Sequence, residues 1–181
     1  SVVDCDSFDE TNLNRQAVST VDNTGDPKAE EARKMVRGIN PAVSVRSFCL
    51  KIDSISAPPI LSGSNVIVDA LDNVPDRLAL ETVARSLKIP LVHGALAGFD
   101  GQVMTVFPED PGLKLIYGTD IQKGDPGRPE AVMGVPSITP SIVASLQAME
   151  VLKILLNRGQ PLRQRMLHID LEAGRFDVFR F

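Results

Sequence analysis

Cysteine is nearly absent from this sequence. Cys5 and Cys49 are the only two among 181 residues, and they form no C-x-x-C pair. A disulfide framework and a four-cysteine zinc site are therefore excluded within the chain. Basic blocks are missing as well: 19 Lys and Arg stand against 23 Asp and Glu, for a formal charge of −4. That balance argues against a nucleic-acid binder, which would present a basic face. No apolar run approaches the roughly 20 residues needed to span a bilayer, and the start has neither a basic n-region nor a signal-type apolar core. The expectation is a cytoplasmic protein without membrane or nucleic-acid partners. Internal repeats, low-complexity segments and a Ser-His-Asp pattern are likewise lacking. What is present is ordinary for a soluble globular protein, with 43% hydrophobic and 23% charged residues, and the length suits one well-buried domain.

Along the chain, short apolar runs alternate with helical periodicities. Gly25 to Asn40 reads as a helix capped by Asp26, with Pro27 in its first turn and Ala29, Ala32, Met35 and Val36 at helical spacing. Its Glu30, Glu31, Arg33, Lys34 and Arg37 form a solvated face. Val43 to Ile52 reads as a strand, Asn65 to Ala70 as a short buried strand, and Pro75 to Leu87 as a helix. Ile89 to Gly94 and Gln102 to Phe107 are two further strands. Prolines and glycines break every period from Pro108 to Pro140, a long irregular segment of the kind that is functional or mobile. Ser141 to Asn157 is apolar enough to be a helix buried on much of its surface, and Arg158-Gly159 with Pro161 ends it. Met166 to Leu171 and Arg175 to Phe181, separated by Glu172-Ala173-Gly174, read as a terminal β-hairpin. Alternating strands and helices predict an α/β sheet.

Chemistry concentrates near the start. Val2-Val3-Asp4-Cys5-Asp6 runs into Asn12-Leu13-Asn14-Arg15-Gln16 and then Asp26-Pro27-Lys28. A carboxylate at the end of a nucleotide-fold strand accepts hydrogen bonds from ribose hydroxyls, and an arginine and a lysine beyond it neutralise phosphate oxygens. The glycine loop that precedes such a strand has no counterpart here, since Gly94, Gly98 and Gly101 do not form G-x-G-x-x-G. The chain is therefore expected to be an N-terminally truncated fragment. His93 and His168 sit in strand-like runs and read as structural histidines, and both cysteines as small packed residues.

Five pieces in order, VVDCDSFDETNLNRQ, GDPKAEEARKMVRGINP, VIVDALDNVPDRLALE, IPLVHGALAGFDGQVMTVF and SLQAMEVLKILL, resemble the ThiF/MoeB/HesA family of ubiquitin-activating-type enzymes. The resemblance runs from the first residue to the last, apart from the middle of the Pro108 to Pro140 segment. It implies an α/β fold of Rossmann-like type: a mostly parallel sheet with helices on both faces and a C-terminal β-hairpin, the N-terminal βα unit being absent. It also implies an adenylyltransferase that uses ATP and Mg2+ to activate the C-terminal carboxylate of a ubiquitin-like sulfur-carrier protein of thiamine or molybdopterin type, and a homodimer.

Carried across residue by residue, Asp4 is similar to the ribose ligand, and Asn12, Arg15 and Lys28 are similar to phosphate ligands. Asp72, with Asn73 beside it, matches the magnesium site, while Gln16 and Arg77 take supporting places. Carboxylate attack on a phosphate brings two anions together, so Arg15, Lys28 and a metal held by Asp72 supply the charge the reaction needs. Two departures stand out. The C-x-x-C pairs that many relatives use for zinc are absent, so no zinc site is expected, and Gly127-Arg128-Pro129-Glu130-Ala131 replaces a cysteine-bearing loop. A non-catalytic binding member and an NAD-binding oxidoreductase are the alternative functions, Asp4 suiting an NAD ribose equally well. The Pro108 to Pro140 segment is expected to be mobile in the absence of a carrier.

Overall fold

Val2–Val3 (β1) and Ser47–Phe48 (β2) pair in parallel and seed the first part of the fold. The computed structural model describes residues 1–118 and 133–181, and its contacts divide the chain into two units, Ser1–Leu61 and Ser62–Phe181. In the first unit the strand expected over Val43 to Ile52 shrinks to two paired residues. Its partner explains this: after Asp4 donates its backbone N–H to the Phe48 carbonyl, the Asp4 carboxylate turns back to accept the Asp6 N–H at 2.9 Å, and β1 leaves the ladder.

Lys28–Ile39 (α1) packs on both strands, and its own Ala29 is fully buried. Asp26 is not its cap. Pro27 occupies that place, so no side chain caps the first turn. Of the expected solvated face, Lys34 and Arg37 are exposed, whereas Glu31 is largely buried and accepts from Asn23, and Glu30 pairs with Arg33 and accepts the Ser47 hydroxyl at 2.6 Å, tying helix to strand. Ala57–Leu61 (α2) closes the unit.

The second unit is a five-stranded sheet in the order β3-β4-β5-β6-β7, formed by Ile67–Asp69, Leu91–Ala97, Asp100–Val106, Arg165–Asp170 and Arg175–Arg180. β3 and β4 are parallel, joined through Val74–Ser86 (α3), and the other three pairings are antiparallel. The expected mostly parallel sheet is thus a mixed one. Two of the antiparallel pairings follow from short connections, because a parallel crossover needs a dozen or more residues, whereas β4 and β5 are joined by Gly98-Phe99 alone and β6 and β7 by residues 171–174. Gly98 has φ +57°, the left-handed conformation that a tight hairpin turn requires. The terminal hairpin of β6 and β7 forms as expected.

Helices do cover both faces of this sheet. Strand alternation puts Leu91, His93, Met104 and Val106 on one side, where Glu81 and Ala84 of α3 meet Leu91 and Val106. The other side carries Gly94, Gly101, Val103 and Thr105 and receives Ile138–Leu155 (α5), following the short helix Lys114–Tyr117 (α4). Val103, Val143 and Ile169 form the core there.

The buried stripe of α5 is Thr139, Val143, Gln147 and Glu150, spaced at helical period but mostly polar. Each polar member is paired: Thr139 donates to the Gly98 carbonyl, Gln147 to the Asp69 carbonyl, and Glu150 accepts from Thr105 at 2.7 Å. Met149, Leu152 and Leu155 are exposed, so the helix is buried along a narrow stripe and not over much of its surface. By length and composition alone α5 could cross a membrane, but its polar stripe is hydrogen-bonded to the sheet. α5 also starts at Ile138, three residues earlier than its periodicity implies, with Pro140 tolerated in the first turn. The mobility expected between Pro108 and Pro140, and the run Gly127 to Ala131, fall largely or wholly on residues 119–132, outside the described residues.

Candidate functional site

Backbone pairing in the first unit brings the start of α1 to the end of β1. Ser7 and Pro27 form a bridge, the Phe8 N–H donates to the Asp26 carbonyl, and the Lys28 N–H donates to the Asp6 carbonyl at 2.9 Å. Buried Phe8 anchors this junction, and Gly25, with φ +94°, supplies the left-handed turn before it. Residues more than twenty positions apart thereby line one cavity of about 180 Å³, which holds Asp4, Gln16 and Lys28 among apolar Val2, Phe8, Val18 and Ala32. That volume is below the roughly 300–1,000 Å³ of a site enclosing a whole drug-sized ligand.

Two charged residues of this unit, Asp4 and Lys28, line that cavity. Lys28 Nζ lies 3.0 Å from Asp6 Oδ2. Asp4 uses one carboxylate oxygen on the Asp6 N–H. Asp4, Cys5 and Asp6 also present ligand atoms within 4.8 Å of one another, but the Lys28 ammonium stands against Asp6, where a metal ion would meet repulsion. Asn12 ends the adjoining 3-10 turn Glu10–Asn12 and Arg15 follows it three residues on, and neither is among the residues lining the cavity. Asn12 is buried, and its side-chain oxygen accepts the Asp9 N–H in a capping box. Arg15 donates to the Thr11 carbonyl at 2.6 Å and to Asn14 at 3.1 Å.

Asp72 and Asn73 belong to the second unit, in the turn between β3 and α3. Asn73 is the N-cap of α3, its side-chain oxygen accepting the Asp76 N–H at 2.9 Å. Asp72 is exposed and accepts from Asn73 Nδ2 at 3.1 Å. An exposed carboxylate at a strand-to-helix turn is the hard oxygen donor that suits magnesium.

Beneath this turn lies a buried polar network. Asp69 at the end of β3 is fully buried, and its Oδ1 accepts the Leu71 N–H at 2.9 Å. Its Oδ2 accepts from Arg77 of α3 at 3.0 Å and from His93 Nδ1 of β4 at 2.6 Å. Arg77 spends its second NH1 hydrogen on the Gly94 carbonyl at 2.6 Å. With Nδ1 donating, a neutral His93 has Nε2 as an acceptor, facing the Tyr117 hydroxyl at 3.2 Å, which in turn accepts from Gln102 at 3.1 Å. Burial alone would raise the Asp69 carboxyl, but the His93 hydrogen bond and the Arg77 charge outweigh it and hold the group below the usual carboxylate range. For His93, burial wins with help from Arg77, and its affinity for a second proton falls despite Asp69.

The sign of the resulting pH dependence follows from linkage. A folded-state His93 pKa below the unfolded value of about 6.5 means that the unfolded chain binds the extra proton more readily. Stability is complete above that value and is lost as pH falls from about 6.5 toward the folded pKa, by at most about 1.4 kcal/mol per pH unit for one proton. Urea unfolding between pH 7 and pH 5 is expected to show this slope, and His93→Gln to flatten it. An equal slope in both proteins would assign the titration elsewhere.

Three of the residues expected in the site, Asp4, Gln16 and Lys28, therefore share one cavity, while Asp72 and Asn73 form a turn in the other unit. Arg77, expected in a supporting place, is buried in the network under that turn, and His93 is fully buried in the same network. Asp69 and Tyr117 escaped sequence reasoning. The available signal was a charged or titratable residue inside an apolar run, at Asp69 in Val66-Ile67-Val68-Asp69 and at His93 in Leu91-Val92-His93.

Comparison with known proteins places these features in context. The ThiF family model matches residues 1–181. A SAMP-activating enzyme E1 from Haloferax volcanii is 41% identical over 179 residues, covering 98% of this chain and 65% of that protein. A sulfur carrier protein adenylyltransferase from Thermus thermophilus is 38% identical, covering 96% of this chain and 66% of that protein. The chain thus spans just under two thirds of the length of these relatives. Among solved structures, E. coli MccB with MccA-N7isoASN superposes with a TM-score of 0.81 at 17% identity, over 99% of this chain and 56% of that one. PaaA superposes with a TM-score of 0.79 at 19% identity, over 98% of this chain and 63% of that one. At these identities the structural likeness speaks for the fold.

Proposed function

The chain belongs to the ThiF family, and from that premise we propose that the protein it comes from adenylates the C-terminal carboxylate of a ubiquitin-like sulfur carrier with MgATP, releasing pyrophosphate. The observation that carries the reading is the single cavity in which Asp4, Gln16 and Lys28 meet at the end of β1 and the start of α1. Asp4 keeps a carboxylate oxygen for ribose hydroxyls. Lys28, at the N-terminus of a twelve-residue helix, adds its charge to the partial positive charge of the helix end, and both favour phosphate. Arg15 on the adjoining turn supplies a second cation and Asn12 steadies that turn.

The attacking group is the substrate's own carboxylate, so no side-chain nucleophile is required. The barrier comes from bringing two anions together, and it is lowered by cations fixed beforehand. Asp72 is the residue that would hold magnesium, which when bound neutralises phosphate charge. The relatives named as a SAMP-activating E1 and a sulfur carrier adenylyltransferase support a protein acceptor over a small carboxylate. We also place the protein in the cytoplasm as a homodimer; the exposed Met149, Leu152 and Leu155 on α5 give the second copy an apolar face to cover.

The test is pyrophosphate exchange into ATP by the full-length polypeptide with a ubiquitin-like carrier and with the same carrier lacking its C-terminal glycine. Exchange is expected with the intact carrier only. Exchange independent of the carrier's last residue, or tight NAD binding without ATP competition, would overturn the reading.

A further inference from the structure

Asp69 occupies an unusual place: a fully buried carboxylate three residues before an exposed one, bonded by the β3–α3 turn, α3, β4 and α5. Oδ1 takes the Leu71 N–H inside the turn itself. Oδ2 takes Arg77 from α3 and His93 from β4. The backbone carbonyl of Asp69 takes Gln147 Nε2 from α5 at 2.8 Å. Four segments, the turn itself, α3, β4 and α5, thus converge on one residue.

The donors run in one direction. Gln102 donates to the Tyr117 oxygen, the Tyr117 hydroxyl donates to His93 Nε2, and His93 Nδ1 donates to Asp69. Arg77 NH1 has both hydrogens engaged, on Asp69 and on the Gly94 carbonyl, so its 3.4 Å approach to His93 Nδ1 is a contact between two donors and not a hydrogen bond. The chain is satisfied at each step and ends on the carboxylate that grips Leu71. Such buried networks are rigid because an alternative arrangement leaves a polar group unpaired at low dielectric.

We propose that Asp69 is a positioning residue for Asp72: the network of Arg77, His93 and Tyr117 fixes the Asp69 carboxylate, and through the Leu71 N–H that carboxylate sets the direction in which Asp72 presents its oxygens to a nucleotide-bound divalent cation. This rests on the metal role given to Asp72 above. His93 contributes a donor of fixed direction, and a side chain that offers an N–H and a carbonyl at similar reach replaces it. Residues that orient metal ligands without touching the metal commonly change affinity by about 10–100-fold when lost, so the effect is measurable.

The experiment uses the full-length protein, Mn2+ as the probe cation and a non-hydrolysable ATP analogue, with bound Mn2+ read by electron paramagnetic resonance. Because no turnover is needed, it is independent of whether the carrier has been identified. Asp72→Ala is the reference and is expected to abolish the protein's contribution to Mn2+ affinity. Asp69→Asn is expected to weaken Mn2+ about tenfold, with the metal-free affinity for the analogue unchanged. Amide exchange of Leu71 is expected to rise at least tenfold while that of Leu80 to Ala84 in α3 stays the same. His93→Leu is expected to move both readouts in the same direction and His93→Gln to restore them, which keeps the proposal testable where Asp69→Asn fails to fold. Wild-type Mn2+ affinity in both Asp69→Asn and His93→Leu, with Asp72→Ala impaired, would overturn the positioning role alone. Unchanged affinity in Asp72→Ala would overturn the metal assignment and the positioning role with it, while the carrier-dependent exchange assay would still report on adenylation separately.

Discussion

Replacing Asp72 by alanine is expected to lower carrier-dependent ATP–pyrophosphate exchange by about 10²–10³-fold, the several kcal/mol by which a bound metal stabilises charge at a phosphoryl centre. The loss should appear in turnover more than in folding. Asp72 is exposed, and its hydrogen bond from Asn73 lies at the surface. The capping of α3 is performed by Asn73, whose bond to the Asp76 N–H does not involve Asp72. Surface substitutions of this kind usually change stability by less than about 0.5 kcal/mol. A matched unfolding curve together with collapsed exchange would assign Asp72 to the chemistry. Undiminished exchange would remove the metal assignment and leave the helix turn as a structural feature. Raising magnesium should recover part of the rate if the alanine variant only weakens the ion, since the other phosphate ligands remain in place.

How much of this was readable beforehand differs between elements for physical reasons. α3 was located almost to the residue because its start is marked locally: Asn73 caps and Pro75 sits in the first turn, where its missing N–H costs nothing. β2 was overestimated because a strand's length is set by its partner, and β1 leaves the ladder after Asp4. The parallel pairing of β3 with β4 agrees with the intervening helix and the antiparallel β4–β5 pairing with the two residues that join them, whereas the antiparallel β5–β6 pairing spans a long helix-bearing connection that spacing does not orient. α5 passed for a helix buried broadly because its composition is apolar, yet the sheet selected Thr139, Gln147 and Glu150 for the interior. Composition does not report which stripe meets a partner.

The site divides in the same way. Asp4 and Lys28 carry charge at positions where a strand ends and a helix begins, so their chemistry could be read from local context and the cavity merely brings them together. Asn12 is a phosphate ligand only by what the resemblance implies, and the capping box in which its side-chain oxygen accepts the Asp9 N–H is a local bond that the resemblance does not mention. Asp69, Arg77, His93 and Tyr117 could not be found from spacing. Asp69 and His93 become neighbours through strand register, Asp69 opposite His93, and Tyr117 reaches them from a different element. A network of this kind is a property of the folded topology, and only the odd polar residue inside an apolar run points to it.

That network carries the largest expected effect on stability. Arg77→Met should cost about 3–5 kcal/mol at pH 7, because it leaves the buried Asp69 carboxylate without its permanent positive partner. Against a typical domain stability of about 5–15 kcal/mol this is a substantial fraction. The methionine replaces the aliphatic stem, so the cost arises from charge and hydrogen bonding and not from lost volume. The penalty should shrink on acidification. With Arg77 gone, burial dominates the Asp69 carboxyl and its folded pKa rises above the unfolded value of about 3.9, so the variant regains stability relative to the wild type as pH falls and the acid takes up its proton. Urea unfolding of both proteins at pH 7 and pH 5 checks the sign. Asp69→Leu combined with Arg77→Met removes both charges and should recover part of the loss, as expected when a buried pair is replaced as a unit. A single-variant cost below about 1 kcal/mol, or a double variant weaker by the sum of two full penalties, would mean that Asp69 is held by His93 and Leu71 alone and that the Arg77 guanidinium is spent on the Gly94 carbonyl.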